Sequence, residues 1–215
     1  VDLRQVETVP RLDVHADLRI PKDAPLVGNV AALVPHKGHR YLIEAAATVV
    51  RQVPDARFVI VGEGQLKETL RKQISELHLE RHVLLTGFRL DALSIQKGFD
   101  LFAMSSVTEG MGSVLLDSMA MGQAIVATRS GGIPEVLIDD QTGVLVNTRN
   151  PDALASAIVR LLGEPGQRAR LGAAARQRVR NLFSVEQMVQ GTLDAYARLV
   201  DTPLAADTDH QVVDD

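Results

Sequence analysis

The 215-residue chain contains no cysteine and no tryptophan. Without a thiol, disulfides and thiolate metal sites are excluded, and a reducing compartment is compatible with the composition. Aromatic residues make up only 3% of the chain, a poor supply for a platform that stacks nucleic-acid bases. Basic residues are not in excess: 23 Lys and Arg stand against 27 Asp and Glu, a formal net charge of -4. A basic nucleic-acid-binding face is therefore not expected. No apolar run approaches the roughly 20 residues of a membrane span. The opening "VDLRQVETVPRLDVH" lacks the basic end and apolar block of a signal peptide. It also lacks an initiating Met, which suggests a chain that begins partway through a longer gene product.

What is present is an ordinary globular composition, 46% hydrophobic and 23% charged with a mean hydropathy of +0.05, in a length sufficient to bury a sizeable core. Short apolar runs alternate with longer helical patterns. Strands are expected at 26–33 ("LVGNVAAL"), 57–62 ("RFVIVG"), 82–87 ("HVLLTG"), 100–106 ("DLFAMSS"), 124–129 ("AIVATR") and 142–147 ("TGVLVN"). Between them, "RYLIEAAATVVRQV" and "QLKETLRKQISELHL" repeat apolar residues at three- and four-residue steps, as an amphipathic helix does. A short helix over 90–98, a helix over "SVLLDSMAMG" and one or two turns at "IPEVLI" complete the alternation, and three helices close the chain at 151–162, 168–181 and 185–199. This order implies an α/β fold, a Rossmann-like doubly wound parallel sheet of about six strands with helices on both faces and C-terminal helices beyond. Residues 1–25 read as linker-like, 26–200 as the folded domain, and 201–215, acidic and without periodicity, as a disordered tail.

Ligands of such sheets bind beyond the carboxyl ends of the strands, and four strand ends carry unusual residues. After the first come Lys37 and Gly38 at a helix start, where free N–H groups and an ammonium suit a phosphate; an exposed lysine in a tight turn is the plainer alternative. After the second, Gly62 and Gly64 permit either close approach to a ligand or a sharp turn, and the spacing is not that of a dinucleotide fingerprint. After the third, Phe88 and Arg89 are placed to border a flat base or to pack as a loop. After the fourth, "TEGMGSVLLDSMAMG" carries Glu109, two glycines, and Asp117 in the middle of an apolar helix. An ionised acid in a buried helix is costly unless hydrogen-bonded, and a carboxylate can take two adjacent ribose hydroxyls. Periodicity leaves that reading and a solvent-facing or capping acid both open. "SGGIPE" after the fifth strand offers a further accessible backbone. His36 and His39 lack the companions a metal site needs.

Taken in order, "LVPHKGH", "RFVIVGEGQ", "HVLLTGF", "DLFAMSSVTEGMGSVLLDSMAMGQAIVATRSGGIPEVLIDDQTGVLV" and "FSVEQM" resemble the C-terminal, donor-binding half of a retaining GT-B glycosyltransferase of the group 1 (family 4) type, over residues 26–200. The resemblance implies that Lys37 holds the donor diphosphate, that Glu109 contacts the donor sugar, and that Asp117 reads the ribose hydroxyls. It places the N–H groups of Met111, Gly112, Ser113 and Val114 against the diphosphate and sugar, counts Gly110 among the donor-binding residues, and sets Phe88 and Arg89 in the segment that borders the base. Lys37 and Glu109 are the catalytic candidates.

Two departures stand out. The family's Gly-Arg pair at the end of the first strand is Ala31 and Ala32 here, which removes one phosphate-binding cation. The second acid is Asp rather than Glu, one methylene shorter. The implied whole enzyme transfers a sugar from a UDP-, GDP- or ADP-linked donor to an acceptor hydroxyl with retention, needs no metal or other cofactor, and is cytoplasmic or peripheral to the inner face of a membrane. Its acceptor-binding N-terminal domain is absent from this chain, and the last helix often crosses back to that domain, so apolar surface is expected on the helix ending near residue 199. Alternatives are a non-catalytic nucleotide-sugar-binding module and half of a GT-B epimerase-like protein.

Overall fold

The computed structural model describes residues 1–201. Six strands, β1 (Leu26–Val30), β2 (Arg57–Val61), β3 (Val83–Gly87), β4 (Leu101–Met104), β5 (Ala124–Thr128) and β6 (Val144–Val146), form one sheet in the order β3-β2-β1-β4-β5-β6, with every pair parallel. The doubly wound sheet expected from the alternation is thus present. Each strand is shorter than its apolar run by one to three residues, because pairing covers only the part of the run that has a neighbouring strand beside it.

Both faces of the sheet are covered. Val27, Phe58, Ile60, Leu101, Ala103, Ala124 and Val126 point to one face. There they meet α3 (His39–Gln52), α4 (Lys67–Glu76) and α8 (Pro151–Gly163). Leu26, Val59, Val61, Phe102, Met104, Ile125 and Ala127 point to the other, against α5 (Ala92–Gln96), α6 (Ser113–Ala120), α7 (Ile133–Val136) and α9 (Pro165–Leu182). This two-sided burial explains why the strands read as continuous apolar runs instead of alternating. The crossovers after β1 and after β4 therefore lie on opposite faces.

The segment 1–25, expected as a linker, is instead part of the fold. It forms α1 (Leu3–Thr8) and α2 (Val14–Asp17), whose first turns are capped by Asp2 on the Gln5 N–H and Asp13 on the Ala16 N–H. Val6 and Val14 are buried in the α6 side of the core. Lys97 donates to the Val9 carbonyl at 2.6 Å, and the Leu12 N–H donates to the Ser94 carbonyl. Helices of six and four residues are too short to display a helical period, which is why the pattern alone suggested a connector.

The last helix, α10 (Val185–Asp201), carries Val185, Met188, Val189, Leu193 and Tyr196 exposed along one stripe, as the sequence led us to expect. Of the tail expected at 201–215, residues 202–215 lie outside the described residues. If residues 1–25 are integral, Val14→Asp loses the burial of one valine, about 1.5–3 kcal/mol, and adds a carboxylate without a partner. Urea denaturation should show a loss of about 3 kcal/mol or more; a change within about 0.5 kcal/mol, as at a surface position, would return the segment to linker status.

Candidate functional site

The loops leaving β1 and β4 are fastened to each other through their backbones. After β1, a single 3-10 turn, Pro35–Lys37, ends at Gly38, whose φ of 65° lets α3 begin. A side chain at Gly38 would place its Cβ 2.1 Å from the Ser105 carbonyl oxygen. The Val107 N–H donates to the His36 carbonyl at 2.7 Å, and the Ser105 hydroxyl to the Lys37 carbonyl at 3.1 Å. Lys37 is thereby set against the β4–α6 loop.

Its ammonium lies 2.6 Å from Oε2 of Glu109, with side chains 21% and 10% exposed. The same oxygen accepts the Ser106 hydroxyl at 3.1 Å, and Thr128 at the end of β5 holds the Ser106 carbonyl at 2.5 Å. Burial pushes the Glu109 carboxyl up, but Lys37, Ser106 and the Gly110 N–H together outweigh it and hold the group below its ordinary range. Behind this loop stands Gly131, with φ of 51°; a Cβ there would fall 1.6 Å from the Glu109 carbonyl oxygen. The Gly132 N–H donates to the Gly110 carbonyl. The paired glycines of "SGGIPE", expected as accessible backbone, thus brace the neighbouring loop.

Gly112, with φ of 72°, opens α6 without any side-chain cap. The N–H groups of Met111, Gly112, Ser113 and Val114 have no acceptor among the described residues; the first satisfied one is that of Leu115. An uncapped helix start presents free donors and a partial positive charge, here one turn from the Lys37–Glu109 pair. Asp117, further along α6, is partly buried and accepts no hydrogen bond from a described residue. Burial pushes its carboxyl up to about 6. The two acids of the motif therefore differ in kind: one is paired, the other unsatisfied.

Other expected site residues are placed differently. Phe88 is 72% exposed at the β3–α5 loop. Arg89 is engaged: its fork closes on Asp91 at 2.8 and 2.7 Å and on Asp17 at 3.0 Å, joining the loop to α2. Those bonds raise its pKa further, so it is a fixed cation with three of its five N–H donors engaged. Gly62 and Gly64 approach not a ligand but the carbonyls of Ala31 and Leu33. Ala31 donates its N–H to Val61 and brings no charge to the loop. His39 is fully buried and held neutral, its pKa lowered to about 4 by burial and then by Lys37. No group of three or more His, Asp or Glu stands together as a metal set among the described residues. A groove of about 860 Å³ between α3 and α4 reaches His36 and Thr108, but neither Lys37, Glu109 nor Asp117 lines it.

Three residues of the arrangement were not singled out in the sequence: Ser105, Ser106 and Thr128. The available signal was a pair of serines directly after an apolar strand, polar groups that burial tolerates only when bonded.

Comparison with known proteins gives the family and the fold. The profile of the glycosyl transferases group 1 family matches residues 11–178. The chain belongs to this family. It is 39% identical over 163 residues to the GDP-mannose-dependent alpha-(1-6)-phosphatidylinositol monomannoside mannosyltransferase of Mycolicibacterium smegmatis, a match covering 72% of this chain and 43% of that protein. The lipopolysaccharide core biosynthesis glycosyltransferase LpsE of Rhizobium meliloti is 31% identical over 186 residues, 86% of this chain and 52% of that one. The chain spans about half the length of the curated relatives it matches. Among solved structures, Anabaena Alr3699/HepE in complex with UDP superimposes with a TM-score of 0.83 at 24% identity, over 92% of this chain and 56% of that one. The C-terminal domain of a group 1 glycosyl transferase, LpcC of Francisella tularensis, superimposes with a TM-score of 0.76 at 24% identity, over 86% of this chain and 99% of that one. At that identity these two establish the fold alone, a Rossmann-like parallel sheet with helices on both faces.

Two measurements check the site. Gly131→Ala combines an unfavourable φ with a carbonyl in the way, and should cost about 3 kcal/mol in urea unfolding; a cost below about 0.5 kcal/mol would mean the loops are not pressed together. For Asp117 the sign is the reverse of a paired acid. Its folded pKa lies above the ordinary value, so stability is fully present below pH 3.8 and declines as pH rises through about 6. Asp117→Asn should abolish that decline in a Tm-against-pH series; parallel profiles for the two proteins would contradict the burial assigned to the acid.

Proposed function

We propose that this chain is the donor-binding half of a retaining glycosyltransferase, taking a nucleotide-sugar at the carboxyl edge of the sheet. The observation that carries the reading is the convergence of the Lys37 ammonium and the uncapped start of α6 on one mouth with Glu109 between them. A diphosphate fits such a mouth because it accepts several N–H donors at once and carries the charge that the ammonium and helix dipole favour. As the glycosidic bond breaks, the leaving diphosphate gains charge. Preorganised donors aimed at that charge are worth about 2.7–4 kcal/mol each. Lys37 and the N–H groups of residues 111–114 take that role, and with protein donors supplying it we infer that no metal is needed. The leaving phosphate itself assists the acceptor hydroxyl, so no side chain is assigned as general base.

Glu109 faces the donor sugar, and Asp117 accepts the ribose hydroxyls, which would supply the hydrogen bonds it lacks. Phe88 borders the base. Arg89 shapes that border through its pairing with Asp17 and Asp91, which leaves two of its N–H donors for the ligand. The M. smegmatis relative is named as GDP-mannose-dependent, and the Anabaena neighbour was crystallised with UDP; both donors are admissible here. The acceptor site belongs to a second domain, and the exposed stripe of α10 is the surface suited to cross to it, so this half alone binds donor without transferring sugar. No helix among the described residues is long and apolar enough to cross a membrane. We place the full enzyme in the cytoplasm, where nucleotide-sugars are made, with contact to the inner face of a membrane as an option for a lipid-linked acceptor.

A second reading, a binding module without catalysis, draws on Ala31 and Ala32, which leave Lys37 without a companion cation in the β1 loop. Fusion to an N-terminal partner domain followed by a sugar-transfer assay separates the two. The donor site itself is tested by titration calorimetry with UDP-, GDP- and ADP-sugars. Lys37→Ala removes a charge-assisted bond and should weaken nucleoside diphosphate binding roughly 10- to 100-fold, leaving nucleoside binding within about 3-fold. Equal losses for both ligands would contradict the phosphate role.

A further inference from the structure

Four cations at the carboxyl edge are already paired, whereas Arg149, on the loop after β6, has no ion-pair partner among the described residues. Lys67 lies 3.0 Å from Glu63, Arg89 is shared by Asp17 and Asp91, Arg129 pairs with Asp139, and Lys37 is 2.6 Å from Glu109. The last pair is the most enclosed of the four, and it is built asymmetrically. Glu109 is fixed from behind: Ser106, itself buried, donates to its Oε2, Thr128 anchors the Ser106 carbonyl, and Gly131 backs the Glu109 carbonyl. Lys37 is the mobile partner, a charge at the end of a four-carbon stem. A phosphate that arrives at this mouth must take Lys37 from Glu109.

We propose that Glu109 is a specificity-determining residue that makes the site prefer a glycosylated nucleoside diphosphate over the sugar-free one, by holding Lys37 until donor-sugar hydroxyls satisfy its carboxylate. The inference rests on the donor-site reading above and adds to it the competition for one cation. A sugar-free diphosphate that captures Lys37 leaves a largely buried carboxylate unpaired beside phosphate oxygens, and removing one partner of a buried pair is costly. A sugar brings hydroxyl donors to the same carboxylate, so the bond lost to Lys37 is replaced. Discrimination arises from an unpaired charge built against the wrong ligand. The same competition favours release of the nucleoside diphosphate once its sugar has been transferred, because Glu109 then reclaims Lys37.

The test is calorimetric titration of the 215-residue chain with GDP, GDP-mannose, UDP and UDP-glucose. Glu109→Gln keeps the length and an acceptor for Ser106 but removes the charge. It should bind the sugar-free diphosphate roughly 3- to 10-fold more tightly than wild type, and the affinity ratio of sugar-linked over sugar-free ligand should fall by about 10-fold. In a Lys37→Ala background the gain from Glu109→Gln should shrink, since the pair is what Glu109 withholds. Glu109→Ala, which removes both the charge and the bond to Lys37, should also tighten the sugar-free ligand and serves if the glutamine variant is poorly folded. An unchanged or weakened affinity for GDP and UDP in both variants, or an equal gain without Lys37, overturns the inference while leaving the donor site standing. A folded wild-type chain that binds none of the four ligands overturns the donor site and this inference together.

Discussion

A sheet buried on both faces can offer its backbone to a ligand only at its edges, and this constraint organises the rest of the molecule. All six strands run the same way, so every strand ends its carboxyl side on one rim. The sheet order places β1 beside β4 while their following helices go to opposite faces. The two loops diverge there, leaving the crevice that open α/β sheets use for ligands. Lys37 belongs to the loop after β1 and Glu109 to the loop after β4. They are 72 residues apart and meet at 2.6 Å because of where the strand order reverses.

What keeps that crevice in shape is contact between loop backbones. Gly38 lies against Ser105, Gly62 and Gly64 against Ala31 and Leu33, and Gly131 against Glu109. Each missing Cβ allows a carbonyl of the adjacent loop to approach. The hydrogen bonds from Val107 to His36 and from Gly132 to Gly110 then satisfy backbone groups that would otherwise be left in a partly buried rim. A rim assembled from four loops thus behaves as a continuation of the sheet, which is what a preorganised anion site needs.

The layered fold was legible because its strands are apolar throughout and its helices long enough to repeat; both follow from two-sided burial. The site was legible in part. Lys37, Glu109 and the glycines of the α6 start carry chemistry in their residue types. The partners that fix Glu109 do not: Ser106 and Thr128 look like ordinary strand-end residues until the sheet places β5 next to β4. Arg89 shows the converse, a residue type that suggests a ligand and also pairs with Asp17, 72 positions away, in a segment whose short helices hide their period. Long-range pairing of that sort follows from the fold and not from local spacing.

The pair of acids on the β4–α6 segment shows how environment divides identical chemistry. Glu109 has a cation, a hydroxyl and an N–H, and its carboxyl is held down despite burial; Asp117 has burial opposed only by the attraction of the Val1 ammonium, and its carboxyl is pushed up to about 6. Two carboxylates whose surroundings drive them apart carry separate tasks. Glu109 already has its partners and can only exchange them, whereas Asp117 gains from any donor that reaches it. A ligand with paired hydroxyls over Asp117 would lower that pKa and release the proton the acid retains at mildly acidic pH, so occupancy and protonation are linked at this position. On the proposed reading, a ligand that donates to Asp117 would offset the cost of holding that acid unsatisfied, a physical reason for a polar group to persist in the middle of an otherwise apolar helix.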